Sequence, residues 1–483
     1  MFESFVNVIE SVIDALNGML WGSVLIYVLV LAGLFFTLRL GFIQFRLFGH
    51  GAKLVIQGRE KTDGLSSFQV FCTSMAARVG TGNMAGVAVA ITVGGAGAIF
   101  WMWLIALLGM ATAFVESTLA QVYKERDSDG QYRGGPAYYM EKGLGKRWMG
   151  SLFSVLLIIA FGFAFNAAQA NTITDALNNA FGIDKTVMGL IIVTMTGYII
   201  VGGLRKVANA SELIVPVMAV VYLAIALVVL VMNIEKVPDA LVFIVKSAFG
   251  WQEATGGMMG AIMAGVARGL FSNEAGMGSA ANIAASASPN PNHPASQGFV
   301  QMIGVFVDTL VICTASAAII LLSGVLDNPG DQKGIGLLQL ALSNEMGAWS
   351  TYFISFAILL FCFSSIIANY SYAENNILFL CKSKKVLYVF RALVLAMVMA
   401  GSVASLQLVW NFADVSMGLM ALVNIAAIMM LSKVAFAVIK DYEKQVKQGL
   451  EPTFDSAKFP GIANAQDDIW QGQATELQGE SQK

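Results

Sequence analysis

Long apolar runs separated by short polar segments dominate this chain, and one run is interrupted in its middle. The run from Phe68 to about Val93 is long enough for a membrane-spanning helix, yet residues 76–86 at its centre read AARVGTGNMAG. Irregular backbone at membrane depth survives only against protein or a water-filled cavity. Freed amides favour an anion and freed carbonyls a cation, so the run predicts a site for a small zwitterion and a cation. The alternative is a kinked helix with close glycine packing.

The apolar pattern predicts eleven membrane spans, of which the second is the interrupted run. The seventh is interrupted as well, because residues 268–278 in its middle read RGLFSNEAGMG. Residues 236–250 and 331–347 suit short surface helices. The predicted spans are, in order, Trp21–Leu40, Phe68–Val93, Ala98–Tyr123, Ser151–Leu177, Val187–Leu204, Leu213–Met232, Met258–Ala284, Phe299–Leu322, Tyr352–Ala373, Leu387–Leu406 and Asp414–Ile439.

The two interrupted spans lie five spans apart. Successive spans cross the membrane in alternating directions, so spans that are an odd number apart cross it in opposite directions. Spans two to six and seven to eleven therefore predict two units of opposite topology. Paired interruptions at matching positions are the best sequence pointer to the central site of a transporter. The predicted segments are an amphipathic helix over residues 1–20, an extra span over 21–45, repeats over 64–235 and 236–440, and a polar tail over 441–483 whose Phe454, Phe459 and Trp470 could dock.

Composition supports a membrane protein and excludes most other classes. The chain is 57% hydrophobic and 12% charged, whereas soluble proteins are about 25% charged. A net charge of −2 indicates no polyanionic partner, so we expect a lipid bilayer and no nucleic acid around this chain. No P-loop, Ser/His pair, HExxH or paired catalytic Asp motif is present. We therefore expect no enzymatic activity, no cofactor, and an ion gradient as the energy source. An ion channel is a rival interpretation, but repeated filter segments are missing.

Basic residues set the predicted orientation in the bilayer. Of the 29 lysines and arginines, 23 fall at one side when residues at the span ends are counted, and four fall at the other. The remaining two, Arg78 and Arg268, lie in the interruptions. Since the basic side faces the cytoplasm, we predict a multi-pass protein of the cytoplasmic (inner) membrane. Its N-terminus would be outside and its C-terminus inside, and we expect it to function as a monomer.

Four motifs resemble the alanine or glycine:cation symporter family. They are GTGNMAG at residues 80–86, FVESTLA at 114–120, YRGGPAYYM at 132–140 and SNEAGMGSA at 272–280. The resemblance covers the chain up to about residue 445. It implies an all-α polytopic membrane protein with the LeuT-type 5+5 inverted repeat, one extra N-terminal span and eleven transmembrane helices. It also implies uptake of alanine or glycine with sodium as the coupling ion, for which proton coupling is the alternative.

The first interruption also resembles the VGxGN of the first broken helix in the neurotransmitter:sodium symporter family. On that match, the amides of Thr81 and Gly82 hold the substrate carboxylate, and Asn83 is a sodium or substrate ligand. The carbonyls of Ala76 and Val79 face a sodium ion. Arg78 stands where that family has a small residue, which argues against a second sodium site there.

Polar side chains inside other spans extend this predicted site. Ser364 and Ser365, in the middle of the ninth span, suit a sodium shell because a hard cation prefers oxygen ligands. The alternative is hydrogen bonding back to the helix's own carbonyls. Asn166 and Gln169 lie three residues apart on one helical face, where they suit the substrate amino group or else hydrogen bonds between helices.

The second interruption supplies further candidates for substrate binding, namely Phe271, Ser272 and Asn273. An aromatic ring at this place suits a wall over the substrate, and core packing is the alternative.

Three acids lie within spans, where ionisable groups usually face the interior and have partners. They are Glu116, Glu274 and Asp308. A carboxylate can accept amides freed by a broken helix, so we expect Glu116 to brace a break. Glu274 could pair with either Arg78 or Arg268.

Overall fold

The structure, a computed structural model, describes residues 2–58, 64–127, 130–250, 257–459, 462 and 467–470. Arg59 and Lys61 of the predicted basic loop, and the end of the tail from residue 471, lie outside the described residues, as do the side chains of residues 2–10 in the predicted amphipathic helix. The described part of the chain is helical apart from one hairpin, in which β1 (Glu125–Arg126) pairs antiparallel with β2 (Tyr132–Arg133).

The helices are short where the sequence is interrupted and long elsewhere. In the first half they are α1 Phe2–Met19, α2 Leu25–Arg39, α3 Ile43–Arg46, α4 Phe48–Gln57, α5 Ser67–Arg78, α6 Val87–Gly94, α7 Gly97–Val122, α8 Pro136–Lys142, α9 Arg147–Leu157, α10 Phe165–Phe181, α11 Lys185–Ile200 and α12 Gly203–Met232. In the second half they are α13 Val237–Ala248, α14 Gly257–Asn273, α15 Ser279–Ala284, α16 Pro294–Val305, α17 Thr314–Leu322, α18 Ile335–Met346, α19 Trp349–Leu380, α20 Lys384–Val403, α21 Leu406–Met430, α22 Ser432–Lys447 and α23 Asp467–Trp470. Stretches of π-helix at Leu20–Val24, Gly82–Gly86, Ile158–Ala164 and Phe306–Cys313 lead from one helix into the next.

The second span is broken where the sequence predicts it. Ser66 begins α5 with a reciprocal capping box, in which its hydroxyl accepts the Gln69 amide and the Gln69 side chain accepts the Ser66 amide. α5 ends at Arg78, Val79 is extended, and the π-helical turn that follows leads into α6. The two halves are bent by 50°. A kinked but continuous helix is therefore the wrong alternative.

The seventh span is broken as well. α14 ends at Asn273, and the next residues leave the helix before α15 begins. Glu274, Gly276 and Gly278 have φ values of +59°, +90° and +77°. Glycine adopts this left-handed region freely, whereas a glutamate there is uncommon and strained.

The number of spans remains a prediction. Eight helical stretches in the described part of the chain are long and apolar enough to cross a membrane, and the bent pair α5–α6 makes a ninth. α11 is apolar but only 16 residues long. Short helices, α13 and α18, are found in the two stretches predicted as surface helices, but most residues of α18 are buried, so that helix does not lie on the surface.

The predicted bounds of the last spans are wrong. The structure ends the eleventh at Met430 rather than Ile439 and begins it at Leu406 rather than Asp414. The apolar residues beyond Met430 instead form the buried stripe of an amphipathic helix, α22, whose buried positions are Ala435, Val438, Ile439 and Tyr442. Their spacing of three and four places one face against the protein and leaves the lysines outside.

The tail docks on the body of the protein, as its aromatic residues predict. The Phe454 amide donates to the Asn292 carbonyl at 3.1 Å. Phe454 and Trp470 are both 1% exposed, and their ring centroids lie 5.4 Å apart. The ammonium of Lys124 lies 4.6 Å from the Trp470 ring centroid, and burial lowers the pKa of this lysine well below its ordinary value.

We expect Trp470→Ala to release the tail from the body, because it removes the ring that covers Phe454 and Lys124. Tryptic cleavage after Lys458 should then accelerate by about tenfold or more, since cleavage tracks the population of the opened form. Leu450→Ala is the control, because Leu450 is 58% exposed. Equal cleavage rates in the Trp470 variant and in the parent would contradict this docking.

Candidate functional site

The two breaks meet at the centre of the bundle. A Cβ added at Gly82 would lie 2.9 Å from Phe271 Cδ1 and 3.2 Å from the Ser272 Cα. Asn83 of the first break donates through Nδ2 to the Ser272 hydroxyl at 3.0 Å. Asn83 and Ser272 are fully buried. The predicted sites on the second and seventh spans are thus one site.

Gln169 of α10 reaches the first break. Its side-chain oxygen accepts the Thr81 amide at 2.9 Å, and a Cβ at Gly80 would lie 2.6 Å from that same oxygen. The structure therefore places Gln169 beside an amide that the sequence assigns to a substrate carboxylate. Because the amide has one hydrogen, a carboxylate and the Gln169 oxygen would compete for it.

Asn83 connects the two breaks with the eighth predicted span through hydrogen bonds. Its Oδ1 accepts the Gly80 amide at 3.0 Å, and its Nδ2 donates to Asp308 Oδ1 at 2.7 Å. Asp308 Oδ2 accepts the hydroxyls of Ser272 at 2.6 Å and Thr309 at 2.8 Å. Asn83 and Ser272 are therefore engaged with the protein in this conformation, and Asp308 joins the site through them.

Ser365 lies against the carbonyl end of α5. Its hydroxyl is 2.8 Å from the Ala76 carbonyl oxygen, 3.3 Å from that of Val79 and 3.0 Å from that of Phe361. One hydroxyl hydrogen serves one acceptor fully, so the oxygens here exceed the donors. Converging neutral oxygens of this kind suit a hard cation such as sodium.

Ser364 does not join this oxygen cluster. Its hydroxyl donates to the Phe361 carbonyl at 2.8 Å, which is the back-bonding that the sequence left open as the alternative. Successive residues of a helix point about 100° apart, so the packing that aims Ser365 at α5 turns Ser364 away.

Two further candidates, Asn166 and Asn273, form no hydrogen bond with the first break among the described residues. Asn166 Nδ2 donates to the Gly162 carbonyl of its own helix at 3.3 Å, and its Oδ1 has no hydrogen-bond partner among the described residues. Asn273 Oδ1 accepts the Ala275 amide at 3.0 Å and so closes the end of α14.

Aromatic rings cover the site on one side. Phe271 stacks on Phe165 with 4.3 Å between ring centroids and 11° between planes, and its centroid lies 4.7 Å from that of Trp410. The Arg268 guanidinium lies 4.5 Å from the Trp410 ring centroid and forms an ion pair with Asp414. Of the two partners that the sequence left open for Glu274, Arg268 is thus paired with Asp414, and no ion pair between Glu274 and Arg78 is found among the described residues.

An open cavity lies beyond this pair. Its volume is about 1090 Å³, and its lining includes Asp14, Trp21, Arg268, Trp410, Asn411 and Asp414. Arg268, Asp414 and Trp410 thus line the cavity, and Phe271 lies against the Trp410 ring behind them. The sequence interpretation missed this pair because it placed Asp414 at the edge of a span. An acid inside an apolar run together with an arginine in a break was the available signal.

Glu116 of α7 braces the second break, as expected. Its two oxygens accept the Gly276 amide at 3.4 Å and the Gly278 amide at 3.1 Å. Asn424 Nδ2 of α21 donates to the same carboxylate at 2.9 Å and to the Gly276 carbonyl of the break at 2.8 Å. Asn424 is a further residue that the sequence interpretation missed.

Comparisons with known proteins match this chain over nearly its full length. The profile described as the sodium:alanine symporter family matches residues 6–456. Over 451 residues the chain is 51% identical to the "Probable sodium/glutamine symporter GlnT" of Bacillus subtilis (strain 168), with 93% of this chain and 94% of that protein covered. It is 50% identical over 475 residues to the "Amino-acid carrier protein AlsT" of the same organism, with 98% and 100% covered.

A solved structure shows the fold. The crystal structure of MhsT in complex with L-phenylalanine matches with a TM-score of 0.53 at 12% sequence identity, covering 79% of this chain and 99% of that one. The helical bundle with its broken spans is therefore of the LeuT type, as the resemblance implies.

The two serines give the first test of the oxygen cluster. Ser365→Ala removes an oxygen that faces α5, so sodium should stabilise this variant against heat only at concentrations at least about tenfold higher than for the parent. Ser364→Ala is the matched control and should respond to sodium as the parent does. Identical sodium dependence of the Ser365 variant and the parent would rule out this cation site.

Proposed function

This chain belongs to the sodium:alanine symporter family, and on that premise we propose that it takes up alanine and glycine through this central site with sodium as the coupling ion. Its class, a sodium-coupled amino-acid symporter, follows from the family. The finer parts of the proposal are the residues, the substrate size and the arrangement in the cytoplasmic membrane as a monomer with its C-terminus inside.

The observation that carries the proposal is the position of Ser365 beside the first break. Its hydroxyl faces the carbonyls of Ala76 and Val79, while the Thr81 amide lies only two residues further along the chain. A cation at the carbonyls and a carboxylate at the amide would attract each other. Binding free energies are reciprocal, so sodium should tighten amino-acid binding by the factor by which the amino acid tightens sodium binding.

The hydrogen bond between Gln169 and the Thr81 amide can be exchanged for one to the substrate. A carboxylate forms a charge-assisted hydrogen bond, which is stronger than the bond that the neutral Gln169 oxygen makes with the Thr81 amide. The substrate carboxylate would displace that oxygen. The displaced oxygen would then be free to accept a hydrogen bond from the substrate ammonium group.

The walls of the site favour a small substrate. Phe271 is held between Phe165 and Trp410, and the backbone of Gly82 lies against its ring. An overfilled site forces side chains out of their rotamers. Room for little beyond a methyl group fits alanine and glycine. Glutamine, which appears in the name of one relative, is the second candidate substrate, because the chain is 51% identical to that relative.

The Arg268–Asp414 pair serves as the outer gate in this proposal. The orientation predicted from basic residues puts the 1090 Å³ cavity on the outside. The pair and Trp410 stand between that cavity and Phe271. The structure then corresponds to a state closed toward the outside. Proton coupling is not favoured, because the family description names sodium.

Competition for uptake tests the substrate size. Against labelled alanine, glycine should compete well, serine weakly, and leucine or glutamate hardly at all, because Phe271 is packed between two rings and the charges beside it, Arg268 and Asp414, are paired with each other. Uptake should need a sodium gradient. Glutamine competing as strongly as alanine would assign the second candidate instead, and strong competition by leucine would show that the pocket is misplaced.

Cysteines at the site report on the outer gate. Cys362 is buried, and its sulfur lies 3.2 Å from the Thr81 hydroxyl. Asp414→Asn breaks the ion pair, so a membrane-impermeant thiol reagent added outside should modify Cys362 at least about tenfold faster, as expected when about 1.4 kcal/mol of closure is lost.

The matched control is Asp175→Asn, which breaks the partly exposed pair between Asp175 and Lys185 and should not change the modification rate. Modification measured by mass spectrometry assigns the reacting cysteine. An unchanged rate at Cys362 in the Asp414 variant would show that the pair does not close the outer route.

A further inference from the structure

Arg78 is a buried cation with most of its hydrogen-bonding capacity unused. It is 2% exposed, and its Nη1 donates to the Gln301 carbonyl at 3.4 Å. Its Nε and Nη2 have no partner among the described residues. A guanidinium carries five N–H donors, and an unpaired buried charge is costly. Arg78 therefore needs a polar occupant beside it.

Glu274 is a buried acid that also has unused hydrogen-bonding capacity. It is 1% exposed, its Oε2 accepts the Ser279 hydroxyl at 2.7 Å, and its Oε1 has no partner in the described part of the chain. Its φ of +59° places it in the left-handed region, where non-glycine residues are uncommon. Strain of this kind concentrates at functional sites.

The two opposite charges act on each other without touching. Arg78 lies close enough to Glu274 for an electrostatic interaction, and both lie within that range of the Tyr372 hydroxyl. The ion pairs found among the described residues include Arg268–Asp414 and Arg391–Glu374 but none with Arg78 or Glu274. In this conformation the two opposite charges therefore do not form a salt bridge with each other.

The surrounding side chains are also unused. Both polar atoms of the Gln301 side chain, both of Asn369 and the Tyr372 hydroxyl are buried without a hydrogen-bond partner among the described residues. Asn369 and Tyr372 lie three residues apart on one face of α19. Asn369 also follows Ser365 by four residues, so this face leads directly from the proposed sodium site.

We propose that Arg78, Glu274, Gln301, Asn369 and Tyr372 form an inner binding site for a zwitterionic amino acid, which the substrate occupies between the central site and the cytoplasm. Arg78 would bind the carboxylate and Glu274 the ammonium group. A free anion would suit Arg78 but be repelled by Glu274, and a free cation would suffer the reverse. Only a molecule that carries both charges satisfies both. This inference deepens the proposed function and rests on it.

The test compares the two faces of the membrane. Right-side-out and inside-out vesicles give the half-saturating concentration of a transported amino acid from outside and from inside. Arg78→Gln and Glu274→Gln should each raise the inner value by about tenfold or more, since each removes a charge-assisted contact. The outer value should stay within about twofold of the parent.

The double variant separates this site from a plain ion pair. If each charge binds one end of the substrate, the two losses add in the double variant. If the charges only neutralise each other, the double variant recovers the parent's inner value, and the inference fails. Arg391→Gln, Glu374→Gln and their double variant are the matched controls, because that pair is in contact at 3.7 Å.

If the charge variants do not fold, Tyr372→Phe still tests the inner site. It removes only a hydroxyl that has no hydrogen-bond partner among the described residues. It should raise the inner value by about threefold and leave the outer one unchanged. Equal changes at both faces, or none, would overturn the inner site. The measurement uses whichever neutral amino acid the parent carries. A parent that carries glutamine but no alanine therefore refutes the proposed substrate without deciding the inner site.

Discussion

The structure depends on one constraint, which is that backbone groups freed at membrane depth must find partners within the protein. In each break, a side chain from a different helix accepts hydrogen bonds from freed backbone amides. Glu116 of α7 accepts two amides of the second break, and Gln169 of α10 accepts the Thr81 amide of the first. The helices around the breaks are held in place by these bonds as well as by packing. The breaks therefore organise the bundle in addition to forming its site.

The two breaks are held with different strength, and this difference indicates their roles. The second is fixed by a carboxylate that also accepts a hydrogen bond from Asn424. The Thr81 amide of the first is held by the neutral side-chain oxygen of Gln169, which we propose that a substrate carboxylate replaces. A strong charged brace suits a permanent element of structure, whereas a weaker neutral one suits a bond that is exchanged in each transport cycle.

The buried charges also fall into two kinds, one pair in contact and one pair not in contact. Arg268 and Asp414 are in contact at the edge of the large cavity, where we propose that their attraction closes the outer route. Arg78 and Glu274 remain apart and keep unpaired atoms on the other side of the first break. Because a buried unpaired charge is costly, the two arrangements cannot be equivalent. A closed pair suits a gate, and an open pair suits a place where the substrate supplies the missing charges.

The sequence alone determined where the helices break, because glycines, an asparagine and an arginine inside an apolar run leave no continuous helix at membrane depth. It also determined the family, since four motifs lie in order along the chain, and the bracing role of Glu116. It did not determine which of two adjacent serines faces the first break, because the choice depends on how α19 is rotated against α5. Nor did it show that Arg268 pairs with Asp414, which is 146 residues away. It also placed the end of the eleventh span too late, since the apolar stripe of α22 resembles a membrane span until packing shows that only one face is buried. Local pattern fixes helices and their interruptions, whereas the partners of a buried polar group are set by helix rotation and by contacts between distant segments, which only the tertiary structure decides.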